Sequence, residues 1–178
     1  MMTKEELIAS IRTVPDYPKP GILFYDVTTL FKNPEALRTM TEMTYELYKD
    51  KGITKVVGVE SRGFVLGAIL AEKLGAGFVL ARKPGKLPAE TVSESYAKEY
   101  GVDTVELHKD AITPDDVVLV HDDLLATGGT VGAVNRLVRQ FGPKAVYDNF
   151  IIELPVLHGR DHIPYGTPVT TLLSLDGA

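Results

Sequence analysis

Short apolar runs alternate with segments of helical periodicity along most of the chain. Residues 55–59 and 117–120 are almost continuously apolar, which is typical of strands that are buried on both faces of a sheet. Further strands are predicted at four segments: 22–25, 77–80, 145–152 and 169–173.

Helix signals lie between these runs. Thr3 and Glu6 form a capping-box pair, which predicts a first helix over residues 3–12. Asn33 and Pro34 predict the start of a helix that ends near residue 51. Two more helices are predicted over residues 64–74 and 131–141, each followed by a glycine. The alternation predicts an α/β fold, a mainly parallel twisted sheet flanked by helices, with ligands bound beyond the carboxyl ends of the strands.

Composition narrows the classes of protein that the chain can belong to. It has 178 residues, a net charge of −5, 44% hydrophobic residues and no cysteine. The length suits one domain, which we place over residues 1–178. Disulfides, thiolate metal sites and a cysteine nucleophile are excluded. No segment is apolar enough to span a bilayer, and the first ten residues lack a secretory apolar core. We expect a cytoplasmic protein that binds small molecules and neither nucleic acid nor membrane.

Residues 83–113 differ from the rest of the chain. They are rich in charge, proline and serine and have weak periodicity. A long polar excursion of this kind is often a flexible loop that covers a functional site. A surface hairpin without a role is equally compatible with the composition.

The segment VVLVHDDLLATGGT, residues 117–130, carries the strongest functional signal. An apolar strand leads into the adjacent acids Asp122 and Asp123, and a turn of small residues then opens a helix. Glycines let a backbone approach a ligand closely, and the amides at a helix start favour a phosphate. The acids can accept hydrogen bonds from a sugar diol. A capped helix after a polar turn would explain the glycines but not the two acids. The segment therefore predicts a site for a ribose monophosphate, whose turn consists of five residues: Ala126, Thr127, Gly128, Gly129 and Thr130.

Cations follow two other predicted strands. Ser61 and Arg62 lie in a tight loop after the strand at 55–59, and Arg82, Lys83 and Lys86 follow the strand at 77–80. Arginine makes forked contacts with phosphate oxygens, and a cluster of cations in an acidic protein suits a local anion site. Each could also be an incidental surface feature.

These segments together resemble the type I phosphoribosyltransferases over nearly the whole chain. The similar motifs lie, in the order of that family, at residues 14–18, 21–26, 60–64, 82–88, 95–101, 122–130 and 153–154. The resemblance implies purine salvage: transfer of 5-phosphoribosyl from phosphoribosyl diphosphate to N9 of adenine, giving AMP and diphosphate. It also implies Mg²⁺ held mainly by the substrate, a homodimer, a small hood formed by residues 1–33 and a loop at residues 83–113 that closes over the substrates.

The resemblance also implies individual roles. Asp122, Asp123, Glu99 and Arg62 would act in catalysis, and Tyr100 would help to cover the site. The ribose 5-phosphate would lie on residues 126–130. Diphosphate would be bound by Ser61, Arg62, Arg82, Lys83 and Lys86, and adenine by Phe24, Tyr25, Asp26 and Leu154.

Two residues depart from the pattern of that family. Tyr25 stands where arginine is usual, and His121 stands where an aliphatic residue is common. We interpret His121 as a structural residue at a strand end. The change at Tyr25 leaves open a related transferase for xanthine or hypoxanthine. A non-catalytic, DNA-binding regulator that senses phosphoribosyl diphosphate is a further alternative, which the acidic charge disfavours.

Overall fold

The computed structural model describes residues 1–98 and 101–176. The helices are α1 (Lys4–Ala9), α2 (Thr28–Phe31), α3 (Pro34–Tyr48), α4 (Gly63–Leu74) and α5 (Gly129–Arg139). The strands are β1 (Arg12–Pro15), β2 (Leu23–Asp26), β3 (Lys55–Val59), β4 (Gly77–Ala81), β5 (Thr91–Ala97), β6 (Val102–His108), β7 (Val117–Leu125), β8 (Ala145–Glu153) and β9 (Val169–Ser174). Two short 3₁₀ turns, Pro155–Leu157 and Gly159–His162, follow β8.

Five strands form a central parallel sheet in the order β4-β3-β7-β8-β9. The predicted α/β class, a mainly parallel sheet with flanking helices, is therefore confirmed. Two antiparallel pairs lie outside this sheet: β1 with β2, and β5 with β6. All five parallel strands end at the same edge, so the loops that follow β3, β4, β7 and β8 can share one site there.

Alternating side chains divide the core between the two faces of the sheet. Val118 and Val120 pack with the apolar side of α5 and with the inner residues of the β5–β6 hairpin. Leu119, between them, packs with Tyr48 of α3 and Ala71 of α4 on the opposite face. This alternation, with apolar residues on both faces, explains why the strand is a continuous apolar run. Within the described residues, no helix is both long enough and apolar enough to cross a bilayer.

Helix ends follow the capping signals closely. The side chain of Asn33 accepts hydrogen bonds from the amides of Glu35 and Ala36 at the start of α3. Gly75, at the end of α4, has φ of +67°, a conformation that glycine adopts at low cost. The predicted start of α5 at residue 131 is two residues late, because the small-residue turn itself continues into the helix.

The prediction of a first helix over residues 3–12 is wrong in its length. The capping box is present, with Thr3 and Glu6 exchanging both backbone-to-side-chain hydrogen bonds. However, α1 ends at Ala9, and residues 12–15 form β1. Arg12 pairs there with Asp26 of β2, and the strand pairing outweighs the helical spacing of the apolar residues.

A chain of hydrogen bonds between uncharged side chains crosses the sheet below its carboxyl edge. His121 Nδ1 is 2.9 Å from Asn149 Oδ1, and Asn149 Nδ2 donates to Thr170 Oγ1 at 2.9 Å. Thr170 Oγ1 lies 2.6 Å from the hydroxyl of Tyr48, which donates to a main-chain oxygen of β8. Burial lowers the pKa of His121 to about 4, so the ring is neutral at pH 7. The predicted position of His121 at a strand end is wrong, because β7 continues to Leu125 and places this residue inside the sheet. Its structural role stays a prediction.

A second buried polar pair lies between β8 and α5. Asn135 Nδ2 donates to both carboxylate oxygens of Asp148, at 2.9 and 3.1 Å, and to the carbonyl of Val131. Asn135 Oδ1 is buried without a partner among the described residues. Burial raises the pKa of Asp148 to about 7, although the bond from Asn135 works in the opposite direction.

Candidate active site

The adjacent acids belong to strand β7 and not to a loop beyond it. We predicted that the strand ends at residue 120, but it pairs with β8 as far as Leu125. Successive side chains of a strand point to opposite faces. The Asp123 carboxylate, almost fully buried, accepts a hydrogen bond from Arg62 Nε at 2.5 Å. Asp122 Oδ1 accepts from the main-chain amide of Asp123 at 2.9 Å. The two acids therefore have different partners.

The electrostatics of the acids also differ. Burial, followed by the charge of Asp123, raises the pKa of Asp122 well above its usual value. Burial alone would lower the pKa of Arg62, but Asp123 and Asp122 outweigh it, and the pKa rises. The site thus combines one carboxylate paired with an arginine and one carboxyl that tends to hold its proton.

The turn between β7 and α5 is shaped by a close approach of two main chains. Gly128 has φ of +83°, and a Cβ atom placed there would lie 2.1 Å from the carbonyl oxygen of Gly159. Gly128 is also the N-cap of α5, and glycine has no side chain to bond the first amides of the helix. Thr127 is exposed and Thr130 is half-buried at this end. Residues 126–130 therefore present amides and two hydroxyls at a helix N-terminus, as a phosphate requires.

The predicted diphosphate ligands lie at the ends of β3 and β4. Ser61 and Lys83 are exposed, and the peptide bond between Glu60 and Ser61 is cis. Arg82 donates to both carboxylate oxygens of Glu60 at 3.3 Å, and the amide of Lys83 donates to Glu60 at 2.8 Å. Lys83 lines a cavity of about 190 Å³ together with Arg82 and Thr130. Lys86 is exposed and does not line that cavity, and its carbonyl accepts from Arg82 at 3.4 Å.

The sequence did not lead us to predict a role for Glu60 in positioning the cations of the candidate site. Glu60 holds the arginine and the amide of the lysine that follow β4, which places these cations at the end of β3. Its signal was available, because an acid follows directly on a buried strand, in the same way as the acid pair of β7.

The predicted base contacts lie around β2. The ring of Phe24 lies 5.9 Å from the guanidinium carbon of Arg62 and packs edge-on against Tyr17. Tyr25, the next residue, packs instead into an apolar cluster that contains Leu154. Asp26 is held by Arg12 and Thr28, and the hydrogen bond from Thr28, followed by that from Arg12, lowers its pKa to about 2.

The β5–β6 hairpin lies over the turn at residues 126–130. The hydroxyl of Tyr96 is 2.8 Å from Thr130 Oγ1, and its ring is so close to Gly129 that a Cβ there would lie 3.1 Å from it. Lys98 pairs with Asp103 across the hairpin. A cavity of about 440 Å³ remains between the hairpin and the turn, lined by Tyr96, Ala97, Lys98, Thr127, Gly129, Thr130 and His162. The predicted catalytic Glu99 and covering residue Tyr100 lie outside the described residues.

A family model described as the phosphoribosyl transferase domain matches residues 26–163. The chain belongs to this family. It is 65% identical over 174 residues to the adenine phosphoribosyltransferase of Phocaeicola vulgatus, an alignment that covers 98% of this chain and all of the relative. It is also 67% identical over 160 residues to the adenine phosphoribosyltransferase of Bacteroides fragilis, covering 90% of each chain.

Solved structures of the phosphoribosyl transferase family agree with this assignment. The adenine phosphoribosyltransferase of Rhodothermus marinus is 53% identical, with a TM-score of 0.91, and the match covers 97% of this chain and 98% of the other. The Giardia lamblia enzyme in complex with 9-deazaadenine is 41% identical, with a TM-score of 0.93, and the match covers 98% and 99%. The family matches thus span the sheet and the site described above.

Proposed function

We propose that this protein transfers the 5-phosphoribosyl group from phosphoribosyl diphosphate to N9 of adenine, giving AMP and diphosphate. The observation that carries this proposal is the turn at residues 126–130, which places free helix amides beside the acids of β7 at the carboxyl edge of the sheet. The names of the relatives, and the Giardia lamblia complex with an adenine analogue, support adenine as the acceptor.

The proposed reaction breaks the bond between the anomeric carbon and the diphosphate oxygen while N9 approaches the opposite face of the sugar. Positive charge then develops on the sugar, as in glycoside chemistry. Asp123, held by Arg62, is a fixed negative group beside this charge. Asp122 holds its proton more readily and can share it with a sugar hydroxyl. No protein nucleophile is required, so catalysis depends on alignment and on electrostatic stabilisation.

The leaving diphosphate is proposed to lie between the ends of β3 and β4. Lys83 and Arg82 line the cavity of about 190 Å³ there. Lys86 is exposed shortly after them in the chain, and Ser61 is exposed directly after Glu60. The carboxylates of Asp123 and Glu60 are already paired with arginines. This donor set fits a Mg²⁺ ion that is held through diphosphate oxygens, sugar hydroxyls and water, with no carboxylate bound directly. When bound, the ion would neutralise charge on the leaving group.

Adenine is proposed to lie on Phe24, with backbone groups of residues 24–26 reading its polar edge and Leu154 below it. Because the side chain of Tyr25 packs into the apolar cluster, the departure from arginine leaves the backbone of β2 available to the base. Neutral adenine loses one ring N–H proton as N9 bonds to the sugar. Glu99 is proposed to assist the handling of this proton at the purine, and Tyr100 to help cover the base, as the family resemblance implies.

The enzyme is further proposed to act as a cytoplasmic homodimer. Strand β4 is an edge of the sheet, and Leu80 on it is 38% exposed, as is Val65 of the neighbouring α4 at 39%. Exposed apolar side chains at and beside an edge strand favour association with a second copy. Sedimentation at several protein concentrations tests this proposal, and a monomer at all of them would contradict it.

The deciding experiment measures AMP formation from phosphoribosyl diphosphate and adenine, with and without Mg²⁺. Hypoxanthine and xanthine are tested separately, because Tyr25 departs from the usual arginine. We expect adenine to be the preferred base and Mg²⁺ to be required. AMP absent under all conditions would contradict the proposal, and preference for another base would correct the substrate.

Replacing Asp123 or Asp122 with asparagine tests the assignment of the sugar site. We expect either change to lower kcat by about a hundredfold or more. Asp123→Asn removes the fixed negative group beside the sugar, and Asp122→Asn removes the carboxyl group that can share a proton with a sugar hydroxyl. The free energy of unfolding should change much less than the activation free energy. Asp115→Asn, which removes an exposed carboxylate paired with Lys144 before the amino end of β7, is the control. An unchanged kcat in both β7 variants would remove these acids from the mechanism.

A further inference from the structure

The 3₁₀ turn Gly159–His162 packs behind residues 126–130. We call residues 159–162 the wall and residues 126–130 the phosphate turn. A Cβ on Gly159 would lie 2.3 Å from the carbonyl oxygen of Ala126, and one on Gly128 would lie 2.1 Å from that of Gly159. One turn further along α5, a Cβ on Gly132 would lie 2.7 Å from the carbonyl oxygen of His162. Three successive contacts between main chains therefore fix the position of the phosphate turn relative to this wall.

The wall is fastened to the sheet by Arg160. Its Nε and Nη2 donate to the two carboxylate oxygens of Glu153 at 2.6 and 2.7 Å. Glu153 is the last residue of β8, is only 8% exposed, and also accepts from Thr171 of β9 at 3.2 Å. A forked arginine–carboxylate pair with a buried acid has a defined direction, unlike a single contact between exposed charges.

The main chain around Glu153 connects this pair to the strand that carries the acids. The amide of Leu154, the next residue, donates to the carbonyl of Leu125 at the end of β7. The carbonyl of Glu153 accepts from the amide of Leu175 at 3.0 Å. The main chain at Glu153 is therefore fixed to β7 and to the residue after β9. Displacement of Arg160 would move the wall without moving the strand ends.

We propose that Arg160 and Glu153 form a positioning pair that sets the affinity of the phosphate turn for the sugar 5′-phosphate. The inference rests on the proposed function, because it presumes that residues 126–130 hold that phosphate. Arg160 acts through the Gly159–Gly128 contact and touches neither the sugar nor the base. Its loss should therefore weaken binding of the sugar phosphate and leave the chemical step nearly intact.

The test compares Arg160→Gln with Arg160→Lys, which keeps the charge and can restore one of the two contacts. Arg139→Gln is the matched control, since it removes a hydrogen bond to Thr167 at the opposite end of α5. For each protein we measure KM for phosphoribosyl diphosphate, KM for adenine and kcat. Independently, thermal unfolding is followed over a concentration series of ribose 5-phosphate, because a bound ligand raises the apparent stability by an amount that grows with the logarithm of its concentration relative to Kd.

We expect Arg160→Gln to raise KM for phosphoribosyl diphosphate between about tenfold and about a hundredfold, with kcat and the KM for adenine within about twofold. Protection by ribose 5-phosphate should move to correspondingly higher concentrations. Arg160→Lys should fall between Arg160→Gln and the wild type, and Arg139→Gln should match the wild type. If Arg160→Gln does not fold, the shift in Arg160→Lys decides.

Two outcomes would overturn the positioning role. One is a lower melting temperature of the ligand-free variant with unchanged ribose 5-phosphate protection and unchanged KM, which is what a purely structural pair would give. The other is a fall in kcat at constant KM. A wild type that is protected by ribose 5-phosphate but forms no AMP contradicts the proposed function alone, and the protection series then still decides about Arg160.

Discussion

Replacing Asp148 with asparagine tests whether a buried carboxyl makes the stability of this protein depend on pH. Asp148 is fully buried between β8 and α5, where Asn135 Nδ2 donates to both of its oxygens. The amide of an asparagine at this position has nearly the same shape. Its NH₂ group can also donate to Asn135 Oδ1, which lacks a partner among the described residues. We therefore expect the variant to fold.

The magnitude follows from the pKa of Asp148, which burial raises from 3.8 to about 7. Below pH 3.8 the carboxyl is protonated in both the folded and the unfolded protein. Between pH 3.8 and 7 the folded protein retains a proton that the unfolded chain has released, so stability falls as the pH rises. The total loss is about 4 kcal/mol, and between about 2 and 3 kcal/mol of it falls between pH 5 and pH 8. The asparagine variant has no ionisable group at this position, so this loss of stability is absent.

The assay is urea unfolding of both proteins at fixed protein concentration from about pH 5 to about pH 8. Relative to the wild type, the variant should gain between about 2 and 3 kcal/mol of unfolding free energy from pH 5 to pH 8. Asp116→Asn is the control. Burial would raise the pKa of Asp116, but bonds from Thr54 and Thr113 outweigh it and lower the pKa, so its contribution is lost only as the pH falls below 3.8. Its difference from the wild type should be constant over the same range. A constant difference for Asp148→Asn as well would refute the reasoning.

Two further substitutions test the phosphate turn and the hairpin above it. Gly128→Ala should lower the free energy of unfolding by more than about 2 kcal/mol and abolish protection by ribose 5-phosphate, because the new methyl group meets Gly159 and the positive φ is unfavourable. Gly142→Ala separates these two causes in urea unfolding, because Gly142 has a similar φ but open space around it. An equal loss of stability in both variants would contradict the role of the close approach. Tyr96→Phe removes the hydroxyl contacts to Thr130 and to Asp103 and should speed amide hydrogen exchange in β5 and β6 by up to about tenfold, with little change in melting temperature. Unchanged exchange would show that the hydroxyl does not hold the hairpin.

The sequence was most informative where a local signal decides the structure. The apolar run at residues 55–59 corresponds residue for residue to β3, and the glycine after α4 ends that helix as predicted. The small-residue turn was also recognised correctly as the start of a helix. In each case the local signal and the tertiary structure agree.

The prediction failed where pairing with a distant strand overrides local preference. Asp122 and Asp123 suggested a loop, yet they belong to β7, because β8 is long enough to pair with it as far as Leu125. In the same way, pairing with β2 shortens the first helix. Local composition does not contain the length of a partner strand.

Several site contacts join residues far apart in the chain. Arg62 is 61 residues from Asp123, and Tyr96 is 34 residues from Thr130. Arg160 and Glu153 are close in sequence, but their proposed role depends on the packing of residues 159–162 against residues 126–130, which the sequence does not reveal. A sequence can therefore suggest which residue types bind a sugar phosphate, whereas their pairing depends on the arrangement of the strands.

The facing glycines at positions 128 and 159 restrict how the sequence of this protein can change. The nearest obstruction is backbone at both positions, the carbonyl oxygen of Gly159 for residue 128 and that of Ala126 for residue 159, so trimming a side chain cannot relieve a mutation at position 128. Random libraries that vary residues 126–130 for a new sugar phosphate should therefore recover almost no folded clones altered at position 128, whereas exposed Thr127 beside it has room for side chains of other sizes. Efforts to change specificity should begin at that threonine.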